Sequence, residues 1–179
     1  MYSPPYLSYV WYSSNFGLSW ANYSSSNSWG KITGSDTLAT LIASRSNYLV
    51  VSNNVAQSWN TTSGASFASY TGIAASRDGS YAVACASGGN IFTSVDGGYR
   101  WTTQQPIKSW AGVATSANGT YIVAIVSDGD VYIGQHGDNV TIPPWRYGPL
   151  SAQSELAASN DTFTLVYVGN VLDNIASST

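Results

Sequence analysis

The sequence predicts an all-β chain built from repeated four-stranded units. Three observations carry this reading. A tryptophan recurs at Trp20, Trp59, Trp101 and Trp145, at separations of 39, 42 and 44 residues. A short apolar run rich in Val, Ile, Tyr and Thr recurs with a similar period: TLATLIAS (37–44), SYAVACAS (80–87), TYIVAIVS (120–127) and TFTLVYV (162–168). Nowhere do the apolar positions follow the 3.6-residue spacing of a helix. A fixed period of this length marks a repeat architecture.

The elements of one repeat follow in order. Strand A is YTGIAAS (70–76) and strand B is SYAVACAS (80–87). Strand C is IFTS (91–94), and strand D begins at RWTT (100–103). The B runs are short and β-branched, as buried strands are. GSD, RDG, ANG and ND precede them, and RSN, GGN, DGD and GN follow. Gly, Asn and Asp tolerate the positive φ that tight hairpins require. Four-stranded units at this period are the blades of a β-propeller. The chain is read as a single repeat domain, 1–179. Its parts are a half-blade at 7–23, blades at 28–65, 68–106 and 108–149, and a half-blade at 152–174. The two half-blades, paired across the termini, make about four blades and remove exposed sheet edges. An open array, or two chains sharing a larger ring, fits the same pattern.

Composition narrows the function. Only 8% of residues are charged, against about 25% in ordinary soluble domains. A polar but uncharged surface repels its own copies weakly. A net charge of −3 with six Lys and Arg argues against nucleic acid and anionic membranes, both of which need basic patches. No apolar run reaches the length of a membrane helix. The start, MYSPPYLSYV, lacks the basic and apolar regions of a signal peptide. Cys85, the single cysteine, lies in an apolar run and reads as a buried structural thiol. No disulfide framework, metal site or cofactor is implied.

The stretch SVDGGYRW (94–101) looks at first like a catalytic loop, with Asp96 and Arg100 beside a glycine pair. It has copies, however: SSNFGLSW (13–20) and, more loosely, SNNVAQSW (52–59). The pattern Ser-x-Asp-x-Gly-x-x-Trp resembles the Asp-box, or BNR repeat, of the sialidase-like propellers. The matching positions are Ser94, Asp96, Gly98 and Trp101; Ser13, Asn15, Gly17 and Trp20; and Ser52, Asn54 and Trp59. Before Trp145 the pattern is lost in GQHGDNVTIPPW. The resemblance implies an architectural role on the rim. The side chain of Asp96 is expected to accept hydrogen bonds from turn amides two residues on. Trp101 is expected to bury its ring beneath the hairpin.

The resemblance does not extend to sialidase chemistry. Those enzymes use an arginine triad, a Tyr–Glu pair and an acid/base Asp. Here the arginines are Arg45, Arg77, Arg100 and Arg146, and the one Glu is Glu155. Arg77 falls in an A–B turn and Arg100 in the rim clip, so too few remain for a triad. Photosystem II assembly factors built of similar repeats tend to carry basic patches, which six scattered cations do not supply.

Three candidate sites remain. Asp128 and Asp130, in SDGD, are the densest acid pair and the carboxylates for a glycan-cleaving alternative, although turn chemistry also explains them. His136 and Asp138 are weak grounds for a metal. Trp29, Tyr70 and Trp110 occupy one strand-A position in successive repeats, a series that Gln153 breaks. Such rings either wedge between blades or stack on a sugar near the mouth. Asn22, Asn60, Asn118, Asn139 and Asn160 are glycosylation sequons, and their use would imply an extracellular location. The expected function is a non-catalytic module for binding or self-assembly. Its partners would be copies of itself, another protein or a glycan.

Overall fold

A computed structural model of the chain describes residues 9–22, 27–127, 129–136, 155–157 and 163–170. All of its regular structure is β. A short hairpin comes first, of β1 (Trp11–Tyr12) and β2 (Ala21–Asn22). The first full sheet holds β3 (Trp29–Gly34), β4 (Leu41–Arg45), β5 (Tyr48–Ser52) and β6 (Asn60–Thr61), in that order. The second holds β7 (Tyr70–Ala75), β8 (Ala82–Ala86), β9 (Gly89–Ser94) and β10 (Thr102–Lys108), again in sequence order. The third begins with β11 (Trp110–Thr115), β12 (Tyr121–Val126) and β13 (Asp130–His136). β14 (Glu155–Ala157) and β15 (Phe163–Asn170) complete it, in the order β11-β12-β13-β15-β14.

Strands A, B, C and D of the central repeat thus lie where the pattern puts them. Every pairing between these strands is antiparallel, as hairpin connections demand. The β4–β5 hairpin turns through Ser46 and Asn47, at φ 48° and 70°. Two consecutive positive φ values match the right-handed twist of the strands.

The terminal pairing differs from the expected closure. β14 and β15 do form a hairpin, but β15 lies beside β13, in register from Asp130↔Asn170 to His136↔Phe163. The run assigned to a separate half-blade therefore takes the fourth position of the third sheet. The physical reason is the edge of β13, whose unpaired amides and carbonyls accept the next β-rich run available. Trp145, expected to continue strand D, lies outside the described residues. Among the described residues, β1–β2 pairs with no other strand.

The three full sheets stack through two cores. Ile42, Leu49 and Val51 of the first meet Ala82, Ala84, Phe92 and Trp101 of the second. Val83, Cys85 and Ile91 of the second meet Trp110, Ile122, Ala124 and Tyr132 of the third. β8 is therefore buried on both faces, and its small residues let two sheets approach. Strand A carries a register shift at the same place in each repeat, after Trp29, Tyr70 and Trp110. A bulge re-aims a side chain without ending the strand.

Candidate functional site

The stretch 94–101 closes on itself. The Ser94 hydroxyl donates to Asp96 Oδ1 at 2.9 Å and accepts from the Gly98 amide at 3.0 Å. Asp96 Oδ1 also accepts from the amides of Tyr99 and Arg100, at 3.1 and 2.9 Å. These donors lie three and four residues on, rather than the expected two. The Trp101 indole N–H donates to the Gly98 carbonyl at 2.9 Å, which fixes the ring under the turn. Partial burial pushes the Asp96 carboxyl up. The Arg100 amide, the Ser94 hydroxyl, the Tyr99 amide and the Arg100 charge outweigh that and hold it low.

The same network recurs at 13–20 and 52–59. Ser13 donates to Asn15 Oδ1 and accepts from the Gly17 amide, at 3.0 and 2.8 Å. Ser52 donates to Asn54 Oδ1 and accepts from the Ala56 amide, both at 3.0 Å. In each, the Asn side-chain N–H₂ adds a bond to Ser19 or Ser58 at 2.8 Å. The weakest of the three sequence matches, 52–59, makes the full Ser–Asn network. Its backbone also follows the other two, with Val55 and Ala56 at φ 55° and 65° where Phe16 and Gly17 take 56° and 84°. It departs in having no glycine there, and in the Trp59 indole N–H, which finds no acceptor.

A second repeated clip closes the A–B turns, and its serine was missed in the sequence reading. Ser76 donates to Asp78 Oδ1 at 2.6 Å and accepts from the Tyr81 amide at 3.0 Å. Ser116 treats Asn118 and Tyr121 alike, at 2.7 and 2.9 Å. The signal was available as SRDGS (76–80) and SANGT (116–120). Hydrogen bonds from Ser76 and Ser80 pull the Asp78 carboxyl down to about 2. These turns also join repeat to repeat. The Asp36 amide donates to the Arg77 carbonyl at 2.9 Å, and the Arg77 amide to the Ala117 carbonyl at 2.7 Å. The Arg77 guanidinium pairs with Asp36 at 2.7 Å on the surface, where such a pair adds little stability.

The aromatic series is brought to one structural position, but not as an open platform. Trp110 is fully buried and Tyr70 is 8% exposed. Trp110 packs edge-on against Tyr132 at 5.2 Å, and Tyr70 tilts against Phe92 at 5.8 Å. Neither ring offers a free face for a sugar. The cause is the close approach of neighbouring A strands: Thr71 Oγ1 donates to the Trp110 carbonyl at 2.8 Å. A ring placed there is covered from both sides, and burial favours it. Trp29 is half-buried, against Trp59 at 4.9 Å, with the Arg45 guanidinium 5.8 Å above its ring.

The other candidates are scattered. Asp128, Asp138, Asn139 and Asn160 lie outside the described residues, and Asp130 enters as backbone at the head of β13. His136 ends β13, its ring 4.9 Å from that of Tyr81. Asn22 and Asn60 are exposed on short strands; Asn118 is exposed, with its carbonyl held in the turn clip. Cys85 is buried, and desolvation raises its thiol against the opposing pull of Thr71. Among the described residues no three His, Cys, Asp or Glu side chains gather as a metal site would require.

No family model matches the chain, and no curated protein is similar to it in sequence. Solved structures do resemble it. One is an ancestral GH74 enzyme, with a TM-score of 0.55 and 18% identity over 69% of this chain and 19% of that one. Another is YCF48 from Cyanidioschyzon merolae, with a TM-score of 0.50 and 14% identity over 59% of this chain and 33% of that one. Both are propeller-type folds. The fold is of the propeller type. At these identities the likeness shows the fold alone, and the chain spans a third or less of either structure. The propeller neighbours include a glycoside hydrolase as well as YCF48, so the fold does not choose between hydrolysis and binding.

Proposed function

We propose that this chain is a non-catalytic propeller module of Asp-box repeats that works by binding or self-assembly. One observation carries the reading: its polar turn residues are occupied by the turns themselves. Asp96, Asn15 and Asn54 hold rim hairpins, while Asp78 and Asn118 hold A–B turns. A carboxylate accepting several fixed hydrogen bonds, with its pKa held down, is a poor general acid or base near neutrality. The rim hairpins present apolar side chains outward: Phe16, Leu18, Val55, Val95 and Tyr99 are all exposed, with Asp96 and Arg100 the charged groups exposed beside them. Such surface suits contact with protein, or stacking on a glycan, better than it suits hydrolysis.

The alternative is a glycan-cleaving hydrolase that uses Asp128 and Asp130. A panel of chromogenic glycosides, run beside a glycan-binding array, separates the two. The expected result is no turnover. Turnover abolished by Asp128→Asn or Asp130→Asn would overturn the non-catalytic reading.

A further inference from the structure

Two halves of one contact are present in this chain, and in this structure they do not meet. The contact is defined between the first and second sheets. There the clip 94–101 lies on the first sheet, and a Cβ at Gly98 would come 2.7 Å from Ile42 Cδ1. Trp101, in the same clip, packs with Ile42, Leu49 and Val51 and is 4% exposed. By strand register Ile42 corresponds to Val83 and then to Val123, each facing the next repeat. Val83 is covered by the third sheet. Val123 and Ile125 are 38% and 44% exposed. The third sheet therefore presents the face, and among the described residues no clip lies on it.

The hairpin β1–β2 has the clip, and among the described residues it lies on no sheet. Its Ser13–Asn15 network matches that of 94–101, and the Trp20 indole N–H donates to the Gly17 carbonyl at 3.1 Å, as Trp101 does to Gly98. Yet Trp20 is 60% exposed, and Trp11, Phe16 and Leu18 are exposed beside it. The turn ladder is open in the same sense. It runs from Asp36 to Arg77 to Ala117, the Asp36 and Arg77 amides each donating to the next repeat's carbonyl, and among the described residues it ends at Ala117.

We propose that the β1–β2 hairpin of a second copy docks on the outer face of the third sheet, with Trp20 over Val123 and Ile125. This rests on the self-assembly reading above and names its surface and its partner. The short tether favours a second copy over the chain's own hairpin. Six residues link β2 to β3 and reach about 20 Å at full extension. A hairpin docked on that outer face lies three sheet spacings from the first sheet, about 30 Å along the stack and beyond that reach. Low charge opposes the approach of a copy only weakly. The contact is head-to-tail, and it closes when two copies exchange hairpins.

Light scattering across a concentration series tests this, with circular dichroism to confirm folding. The altered side chains are exposed, so the variants are expected to fold. The wild type is expected to associate above its 18.9 kDa monomer mass. Trp20→Ala and Ile125→Asp are each expected to be monomeric. Mixing the two is expected to restore a complex, because one intact hairpin then meets one intact face. A milder pair, Trp20→Leu and Ile125→Ser, is expected to weaken association in the same direction. A wild type that stays monomeric at high concentration overturns the proposal, and the glycan array then still tests the binding reading. Association that is unchanged in both variants also overturns it, while self-assembly through another face survives.

Discussion

The Ser94 hydroxyl stands between the Asp96 carboxylate and the Gly98 amide, donating to one at 2.9 Å and accepting from the other at 3.0 Å. Ser94 is buried, and so is the Gly98 amide bond it completes. Ser94→Ala therefore leaves a buried donor unpaired and is expected to cost about 1–3 kcal/mol. Asp96→Asn should cost much less, because Asn15 and Asn54 already do this work in the other two clips. Urea unfolding checks both: the midpoint should drop for Ser94→Ala at an unchanged slope. A larger loss for Asp96→Asn than for Ser94→Ala would contradict the account.

The first repeat holds side chains at two turn positions where the next repeat holds glycine. Leu38 sits at φ 57°, where Gly79 and Gly119 sit at 76° and 74°. Val55 sits at φ 55°, where the clip of the next repeat has Gly97 at 74°. A β-branched residue in the left-handed region is strained by roughly 1–3 kcal/mol. Glycine removes that strain and adds about 0.5–1 kcal/mol of unfolded-state entropy cost. Val55→Gly is thus expected to raise stability by about 1 kcal/mol, and Leu38→Gly by somewhat less. The reverse change, Gly97→Val, should destabilise. Thermal unfolding of the three variants gives the signs directly.

Much of this fold was legible in the sequence, because local chemistry repeats with the architecture. Val- and Ala-rich runs mark the B strands, and Gly or Asn at each turn marks where the chain must reverse. The clip at 94–101 was legible for the same reason: every part of it lies within eight residues. What was not legible is long-range. Whether 163–170 pairs as a new blade or completes the edge of β13 depends on which partner is nearest in space, and both choices satisfy the same alternation. The fate of Trp29, Tyr70 and Trp110 was equally hidden. Their spacing puts them at one position, but only the approach of neighbouring A strands, seen at Thr71 and the Trp110 carbonyl, shows that Tyr70 and Trp110 are covered, while Trp29 stays half-buried.

The Asp78 clip gives a pH dependence with a definite sign. Its carboxyl is held at about 2 by Ser76 and Ser80, against about 3.9 in an unfolded chain. A depressed folded value contributes stability that is present above the unfolded value. That contribution is lost as pH falls through about 4 toward 2. Asn118 builds the same turn without a charge, so Asp78→Asn should keep the geometry and lose the titration. Unfolding midpoints measured from pH 5 down to 2 should fall more steeply for the wild type than for Asp78→Asn. Asp96 is unchanged in both proteins and contributes a common slope. Curves that stay parallel to pH 2 would remove Asp78 from the account.

The joint between the first two sheets leaves no room for a side chain at one glycine. Ser63 and Arg100 form a parallel bridge, with the Ser63 amide donating to the Tyr99 carbonyl and the Trp101 amide to the Ser63 carbonyl, at 3.0 and 2.9 Å. The next residue, Gly64, has φ 82°, and a Cβ there would overlap the Trp101 carbonyl oxygen. The neighbour is backbone, so no side-chain rotation relieves the clash. Gly64→Ala must break the bridge or push the clip off the first sheet, which lifts the Trp101 ring from Ile42 and Leu49. The expected loss is at least about 2 kcal/mol, from the φ strain and the displaced ring together. Ser63→Ala keeps the backbone bridge and should cost far less. Trp101 fluorescence separates the two outcomes in a background where the other tryptophans are replaced by Phe. A red shift in Gly64→Ala alone means the clip has lifted. Unchanged emission with unchanged stability would mean the joint tolerates a side chain, and the clip would then not be what aligns these two repeats.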